Sequence, residues 1–525
     1  MKSPSRMSKT LFAGFMLISV LALSGHVHHA SAQTWTQLSP TGGPPGVRTL
    51  HTAVFNPTSN RMIVFGGLNG PGTVTTHPMF NDVWVLSNAD GLGGPSTWTQ
   101  LSPTGGPPSA RGYHSAAYDA VNNRMMVFAG DPNIGYCFGA VNDVWVLTNA
   151  DGTGGTPHWT QLLSPTGGPP QLRQDPKAVY DSATNRMIVF GGRTNACGSA
   201  SNEVWVLQNA NGLGGAPVWT QLAPVGGPPA PRGGHSAVYD SANNRMIMFA
   251  GCGPGACPSG DVWVLENANG VGTPAWMQLS PTGGPPSVRY FHSAVYDAVN
   301  NRMVVFGGVG GLNDVWVLAN ANGLGGMPNW TQQSPTGVLP SKRDAHTAIY
   351  NPATNRMVTF AGRSCTGGCS GSEFFALNDV WVLTNANGIV QPTVTPFAAF
   401  TGQVEFEMGT PGAKEDEFQV EGAFTLNSTS NGIDPVTEGV TLDLNQFSIT
   451  VPPGSFVGDP VNGWEFQGII NGVEMEAQIQ PTGPPGSYEF TVEGQQADLT
   501  GMQNPVTVTL TIGDESGRAN VQAQF

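Results

Sequence analysis

One pattern recurs along most of this chain and limits its fold more than any other feature. A Trp-Thr-Gln segment or a close variant begins six times, at steps of 54–63 residues, and each copy also carries Asn-Arg-Met and Asp/Glu-Val-Trp-Val-Leu. The copies start at Trp35, Trp98, Trp159, Trp219, Trp276 and Trp330. A sequence repeated at such a period folds as one supersecondary unit per copy, and neighbouring units bury a shared core.

Each copy contains four short apolar runs, as at residues 276–279, 292–296, 302–306 and 314–318. The runs are rich in Val, Phe, Tyr and Trp and are bounded by Gly, Pro, Asn or Asp, which is typical of strands joined by turns. The connections leave no room for a helix of ordinary length. Four strands per copy at a fixed period predict a β-propeller with one blade per copy.

Three further features of the copies carry a family resemblance. A Gly-Gly or Ala-Gly pair closes the second strand, as at Gly66-Gly67, an Asp-Val-Trp run follows, and a Trp opens the last strand. This pattern resembles the kelch repeat and covers residues 33–390. The resemblance implies a propeller of the kind that serves as a binding platform, a scaffold or, less often, an enzyme.

The order of the copies predicts how the ring closes. Six sets of the first three strands lie between residues 51 and 383, and no Trp-Thr-Gln segment follows the last set. Residues 35–38 instead precede the first set and would supply the missing fourth strand, which removes the open sheet edges. We therefore predict an all-β chain, with a six-bladed kelch-type β-propeller followed by a small antiparallel β-sandwich.

The first 32 residues have the organisation of a secretory signal peptide. Lys2, Arg6 and Lys9 precede an apolar stretch at residues 10–24, and Ala30-Ser31-Ala32 fits a cleavage site. The alternative is a membrane anchor, for which the apolar stretch is short. A secreted or periplasmic protein with no membrane span after cleavage is the prediction.

Six cysteines fall in the connections between second and third strands: Cys137, Cys197, Cys252, Cys257, Cys365 and Cys369. In an oxidising compartment they predict disulfides, with Cys252–Cys257 and Cys365–Cys369 as local pairs and Cys137–Cys197 as a bridge between neighbouring blades. A metal site is the rival interpretation, but the spacings do not repeat and no His lies between the cysteines.

The repeat stops at a linker, residues 391–396, and the composition then changes. Residues 397–525 alternate apolar and polar positions, and Asn471-Gly472 joins two such runs, which predicts hairpins of a β-sandwich. This part holds 18 acidic residues against two basic ones, 2 − 18 = −16, whereas residues 33–396 hold 17 and 16, a net −1. The acidic surface disfavours nucleic acid as a partner. A solvated surface is favoured over a calcium site, and no metal is predicted.

A repeated arginine before the first strand of each copy is the sharpest candidate for binding. It lies near the mouth of the central channel, where six guanidinium groups would bind a carboxylate or phosphate; the alternative is that they tie the first strand to carbonyls of the preceding linker. The six are Arg48, Arg111, Arg173, Arg232, Arg289 and Arg343. The twelve repeated tryptophans and the arginine of Asn-Arg-Met are predicted to be structural.

Function in a repeat protein is expected where a copy departs from the pattern. In the third copy Pro176 and Lys177 replace the usual His-Ser pair, and Asp175 precedes them. Tyr290 is a further departure at the predicted mouth. The loop face, which carries the linkers before the first strands and the connections between second and third strands, is the predicted binding face.

We predict a monomeric binding or scaffold protein that recognises a protein or carbohydrate ligand through this face, with no cofactor and no assigned catalytic residues. The alternative is a sugar-processing enzyme, because sialate mutarotases and galactose-oxidase-like copper enzymes also use kelch propellers. Few acids are expected near the mouth, so general acid–base chemistry has few candidate groups there.

Overall fold

The computed structural model describes residues 33–70, 78–133, 139–163, 165–194, 199–365, 374–389, 395–409, 415–428, 430, 432–445, 447–499 and 502–524. These residues form strands and turns, so none of them belongs to a helix able to cross a membrane. They fall into two compact units, one within Ala32–Gln391 and the other within Pro392–Phe525.

The first unit consists mainly of six antiparallel sets of four strands, called sheets 1 to 6. Sheet 1 is formed by Thr52–Asn56, Arg61–Leu68, Met79–Ser87 and Thr97–Leu101; sheet 2 by Ser115–Asp119, Arg124–Phe128, Val144–Thr148 and His158–Gln161; sheet 3 by Lys177–Asp181, Arg186–Phe190, Val204–Gln208 and Val218–Leu222. Sheet 4 is formed by Ser236–Asp240, Arg245–Gly253, Ala256–Glu266 and Ala275–Leu279; sheet 5 by Ser293–Asp297, Arg302–Gly308, Leu312–Ala319 and Asn329–Gln333; sheet 6 by Thr347–Asn351, Arg356–Cys365, Phe374–Thr384 and Thr34–Leu38.

Sheet 6 joins the two ends of the unit. Thr34–Leu38 pairs antiparallel with the third strand of this sheet, with Trp35 opposite Leu383 and Leu38 opposite Val380. The strand pairing predicted for residues 35–38 is therefore confirmed. The first strands of neighbouring sheets contact one another in the order 1-2-3-4-5-6-1, so the cycle has no gap.

The hairpin between the first and second strands follows from the sequence Asn-Arg-Met. The asparagine before each second strand has φ between 48° and 52°, and Asn adopts this left-handed conformation more readily than most residues. The six are Asn60, Asn123, Asn185, Asn244, Asn301 and Asn355. The Val-, Ile- and Met-rich run that follows is buried on both faces, because each sheet lies between two others.

Six apolar clusters lie between neighbouring sheets, one at each junction. In each, the fourth-strand Trp of one sheet packs on the second-strand Phe of the preceding sheet, with ring centroids 5.0–5.2 Å apart. Trp35 makes this contact with Phe306, and Trp98 makes it with Phe360. The prediction that these tryptophans serve packing is confirmed.

Polar side chains also join neighbouring sheets. The arginine of Asn-Arg-Met donates to a backbone carbonyl of the next sheet at 2.8–3.0 Å, from Arg61 to Asp151 in the first instance and from Arg356 to Asp90 across the junction of sheets 6 and 1. The structural role predicted for this arginine is confirmed.

The second unit contains two sheets around one apolar core. The five-stranded sheet contains, in spatial order, Thr395–Pro396, Glu515–Val521, Val506–Ile512, Val440–Leu444 and Phe447–Val451. The six-stranded sheet contains Ala399–Glu407, Asp416–Thr425, Ser487–Ala497, Val473–Pro481, Gly463–Ile470 and Val457–Asp459. Alternating residues of both sheets point into the core, which also buries Trp464.

Candidate functional site

The six repeated arginines are buried and held by carboxylates of their own sheets. Arg48 donates from Nη1 and Nη2 to the two carboxylate oxygens of Asp82, at 2.9 Å each, and from Nε to the carbonyl of Gly46 at 3.1 Å. The indole N–H of Trp84 donates to the same Asp82. The pairs are Arg48–Asp82, Arg111–Asp143, Arg173–Glu203, Arg232–Asp261, Arg289–Asp314 and Arg343–Asp379.

These pairs correct the expectation that few acids lie near the arginines. The partner is the acid that opens Asp/Glu-Val-Trp, which is 25–36 residues away in sequence but adjacent within the sheet. Burial opposes ionisation of Asp261, but hydrogen bonds from Arg232 and Ser259 outweigh it and lower its pKa to about 2. Each guanidinium is thus already bound to a carboxylate and to a carbonyl of the preceding linker. These contacts support the structural interpretation of the six arginines and give no support to a role in ligand binding.

A ring of histidines and hydroxyls surrounds the central channel. Nε2 of His114 lies 2.8 Å from Thr52 Oγ1, and His51, His292 and His346 make the same contact with a Ser or Thr of a neighbouring sheet. Burial, reinforced by the charge of Arg111, lowers the pKa of His114 to about 3. Burial also lowers the pKa of His51, His235, His292 and His346. The ring is therefore neutral at physiological pH.

The third sheet interrupts this ring. Lys177 lines the channel cavity, of about 180 Å³, at the position that Ser or Thr occupies in the other sheets. Without that hydroxyl, neither ring nitrogen of the buried His235 has a hydrogen-bond partner. Burial lowers the pKa of Lys177, whereas the nearby Asp175 raises it.

A collar of six left-handed residues closes the channel at the loop face. The collar consists of Leu50, Tyr113, Asp175, Gly234, Phe291 and Ala345, with φ between 52° and 64°. The backbone N–H of five of them donates to the collar carbonyl of the preceding sheet at 2.8–3.2 Å. The backbone conformation of the collar repeats in every sheet, but its six side chains are all different. The shared fold therefore does not require these particular side chains, which makes them candidates for a specific function.

Two ion pairs that are not repeated lie beside the collar. Arg193 Nε is 3.8 Å from Asp175 Oδ2, and Arg363 Nη2 is 2.9 Å from Asp344 Oδ1. The segment before the first strand pairs with the continuation of the second strand, which places Arg363 opposite Asp344 and Arg193 opposite Gln174, the neighbour of Asp175. Burial raises the pKa of Asp175 to about 6, although the charges of Arg193 and Lys177 oppose this rise.

Aromatic rings complete the mouth, which we define as the collar together with Tyr290, Arg193 and Arg363. The Tyr290 and Phe291 rings contact each other at a tilt, with centroids 5.1 Å apart, and the Tyr113 ring, which belongs to a different sheet, lies 6.1 Å from that of Phe291. The Arg193 guanidinium lies 5.7 Å from the centre of the Phe291 ring. Of the predicted site residues, Asp175 is a buried member of the mouth, Tyr290 is a half-buried member of it and Lys177 lines the channel.

Arg193 and Arg363 were not predicted as site residues. Both follow the Gly-Gly or Ala-Gly pair, at a position occupied by Leu68, Asp131, Cys252 and Val309 in the other copies. Aligning the copies at this pair would have revealed the two arginines, because only sheets 3 and 6 place a cation there.

Of the predicted disulfides, Cys252–Cys257 is present, with Cα atoms 4.3 Å apart. It closes the hairpin between the second and third strands of sheet 4. Cys137, Cys197 and Cys369 lie outside the described residues, as does the side chain of Cys365, so those two pairings stay predictions.

The repeats match a known family model, the KLHDC2/KLHL20/DRC7 kelch-repeats domain, over residues 22–184, 155–271 and 270–399. The chain belongs to the kelch-repeat family. Its kelch repeats are 30% identical over 284 residues to host cell factor 2 of Homo sapiens, which covers 50% of this chain and 32% of that protein. A putative adagio-like protein 2 of Oryza sativa subsp. japonica is 27% identical over 319 residues, 56% of this chain and 45% of that protein.

This kelch chain therefore spans less than half the length of these curated relatives. Among solved structures, the Cps50 (Swd1) β-propeller domain of Myceliophteria thermophila aligns with 66% of this chain and 98% of its own, at 7% identity and a TM-score of 0.32. That similarity is too low to add to the family assignment.

Proposed function

We propose that this kelch protein is a monomeric binding or scaffold protein that recognises a protein partner through the loop face. The supporting observation is the mouth itself, where the repeated backbone of the collar carries aromatic rings and lies beside two arginines that are not repeated. Rigid aromatic and arginine side chains are the residue types enriched at the energetic centres of protein interfaces. The hairpins around the mouth differ in length, which supports recognition of an irregular partner.

We propose that sheets 1 to 6 are the blades of a closed six-bladed propeller and that the second unit, residues 397–525, is an antiparallel β-sandwich. The cyclic contacts of the first strands and the pairing of Thr34–Leu38 with sheet 6 support the first proposal. Two sheets around one core support the second. Residues 391–396 then link the domains.

We propose export to the periplasm or the medium, with residues 1–32, which lie outside the described residues, as a signal peptide. The Cys252–Cys257 disulfide supports this proposal because structural disulfides persist mainly in oxidising compartments. Mass spectrometry of the exported protein is expected to find Gln33 as its first residue. An unprocessed chain retained inside the cell would contradict export.

A sugar-processing enzyme is the second candidate function, and one observation favours it. Asp175, whose pKa burial raises to about 6, lies beside Arg193 and near Lys177, a combination able to hold and transfer a proton. Asp175 is only 5% exposed, so a substrate would have to displace part of the collar to reach it. Turnover of free sugars or sialate, lost in Asp175→Asn, would favour this candidate.

The binding proposal is tested by selecting displayed random peptides, and probing immobilised glycans, with the full chain. Peptides that bind the wild type are expected to lose at least tenfold in affinity for Arg193→Ala combined with Tyr290→Ala. The control is Val121→Ser, an exposed residue in a first-to-second-strand turn on the opposite face. Equal losses for both variants, or glycan binding without peptide binding, would overturn a protein-binding mouth.

A further inference from the structure

Three acidic side chains are buried together in the second unit. Glu438, Asp514 and Glu515 are 8%, 8% and 1% exposed, and one carboxylate oxygen of each lies within 4.8 Å of the other two. Asp514 and Glu515 come from the hairpin between Val506–Ile512 and Glu515–Val521, whereas Glu438 precedes Val440–Leu444. Glu438 and Asp514 are 76 positions apart in the sequence (514 − 438 = 76), and the pairing of Val440–Leu444 with Val506–Ile512 brings their segments together.

The backbone around the three acids is shaped to hold them close. Gly513 has φ of 57° and donates its N–H to the carbonyl of Gly439 at 3.0 Å. A Cβ atom at Gly513 would lie 2.4 Å from the carboxyl carbon of Glu438, so only glycine lets the turn approach this side chain. The N–H of Asp434 fixes Glu438 Oε2 at 2.8 Å, and Ser430 Oγ donates to Glu515 Oε1 at 2.7 Å.

Among the basic residues of this unit, none that the structure describes neutralises the cluster. Lys414 lies outside the described residues, and Arg518, the other basic residue of 397–525, is exposed. Arg518 and Glu515 are three positions apart on one strand and therefore point to opposite faces.

A second observation separates this cluster from an ordinary acidic patch. Oδ1 of Asp514, in a side chain more than nine-tenths buried, has no hydrogen-bond partner among the described residues. A buried carboxylate oxygen without a donor is costly, because it has lost its water and gained nothing in exchange. A cation bound between the carboxylates would satisfy this oxygen and offset the repulsion among the three charges.

We propose that Glu438, Asp514 and Glu515 form a binding site for one calcium ion. All the donors are oxygen atoms, and no His or Cys takes part, which favours a hard cation over zinc or copper. Calcium accepts six to eight oxygens in irregular arrangements, whereas magnesium requires a near-octahedral set at shorter distances. Water completes the coordination beyond the three carboxylates. This site is independent of the proposed function of the mouth.

The test is calcium binding by the full-length mature protein. After chelation and dialysis, equilibrium dialysis against CaCl₂ with metal quantification is expected to give one tightly bound Ca²⁺ per chain, and at least tenfold weaker binding of Mg²⁺. Asp514→Asn is expected to weaken Ca²⁺ binding at least tenfold. Glu476→Gln, an exposed acid on the outer face of the six-stranded sheet, is the control and should leave the tight site unchanged.

Melting temperatures with and without calcium provide a second test, which separates loss of the calcium site from misfolding of a variant. In EDTA, Asp514→Asn is expected to melt at a higher temperature than the wild type, because one buried charge is gone; in CaCl₂ the order should reverse. Glu438→Gln should behave in the same way. No bound Ca²⁺ at 1 mM in the wild type, or equal loss of Ca²⁺ by Asp514→Asn and Glu476→Gln, would overturn the proposal.

Discussion

At the scale of single residues, the two positions that close each second strand obey different rules. The first is Gly or Ala and has φ near 60°, as at Ala129, whereas the second is always Gly and has φ of 95–119°, as at Gly130. Ala tolerates the left-handed region at a modest cost but not the larger angle. The second glycine also meets the segment before the first strand, which explains why Ala never replaces it.

Gly130→Ala is therefore expected to destabilise the first unit by at least about 2 kcal/mol, through backbone strain and collision. A Cβ there would lie 2.8 Å from both the Gly112 carbonyl oxygen and His114 Cβ. Urea denaturation followed by tryptophan fluorescence measures the change. Ala129→Gly is the matched control, expected within about 1 kcal/mol of the wild type. Equal effects of the two substitutions would refute this account.

The buried histidines predict how stability depends on pH. Folding holds five of them neutral, so their pKa lies below the unfolded value of about 6.5, and the unfolded chain binds more protons. Stability is complete above pH 6.5 and is lost as pH falls towards about 3, the folded value of His114. Each histidine contributes up to about 1.4 kcal/mol per pH unit in that window.

The unfolding free energy should consequently fall steeply between pH 6.5 and pH 4.5. Tryptophan fluorescence reports this unit, because only Trp464 lies outside it. His114→Gln is expected to reduce the slope by about one proton, since one titrating group is removed while a side chain able to hydrogen-bond to Thr52 remains. A profile that is flat from pH 7 to pH 5 would show that the histidines are not held neutral.

At the scale of elements, each junction between sheets contains one Asp and one Asn. The side chain of the last residue of a first strand lies 2.6–2.9 Å from that of the third residue after the third strand of the next sheet. Where the first-strand residue is Asn56 or Asn351, its partner is Asp151 or Asp90; elsewhere the order is reversed, as in Asp240–Asn322. In both exceptions the partner residue is exchanged as well, so in every junction an Asn amide donates to an Asp carboxylate.

A charge swap tests this complementarity. Asn322→Asp places two carboxylates in a buried contact and is expected to cost about 3 kcal/mol of unfolding free energy. Adding Asp240→Asn reproduces the arrangement at Asn56–Asp151 and should recover at least half of the loss. Chemical denaturation of the wild type, both single variants and the double variant gives the coupling. Additive effects in this cycle would contradict the pairing.

At the scale of the whole molecule, the N-terminal strand is required for the last sheet. Trp35 is 2% exposed and packs on Phe306 as Trp98 packs on Phe360, so both should contribute equally to stability. Trp35→Ala is expected to cost about 3–5 kcal/mol, and Trp98→Ala about the same. Deleting residues 33–38 should lower the melting temperature further, because it also exposes two sheet edges. An unchanged melting temperature in the deletion would disprove this role of the strand.

The sequence by itself determined the elements of the first unit. Apolar runs, turn residues such as Asn60 and the period of the copies are all visible in the sequence. The strands, the kelch pattern and the pairing of residues 35–38 with the last sheet could therefore be predicted from it. The packing role of Trp98 was also readable, because a residue repeated in every copy serves what every copy shares.

Only the tertiary structure decided which charges meet. The sequence separates Arg48 from Asp82, Arg193 from Asp175 and Glu438 from Asp514, and gives no signal that joins them. Strand pairing within a sheet brings the first two pairs together, and the packing of a hairpin turn against a distant segment brings the third. Electrostatic partners depend on distances of a few ångströms in three dimensions, and local patterns fix strands without fixing those distances.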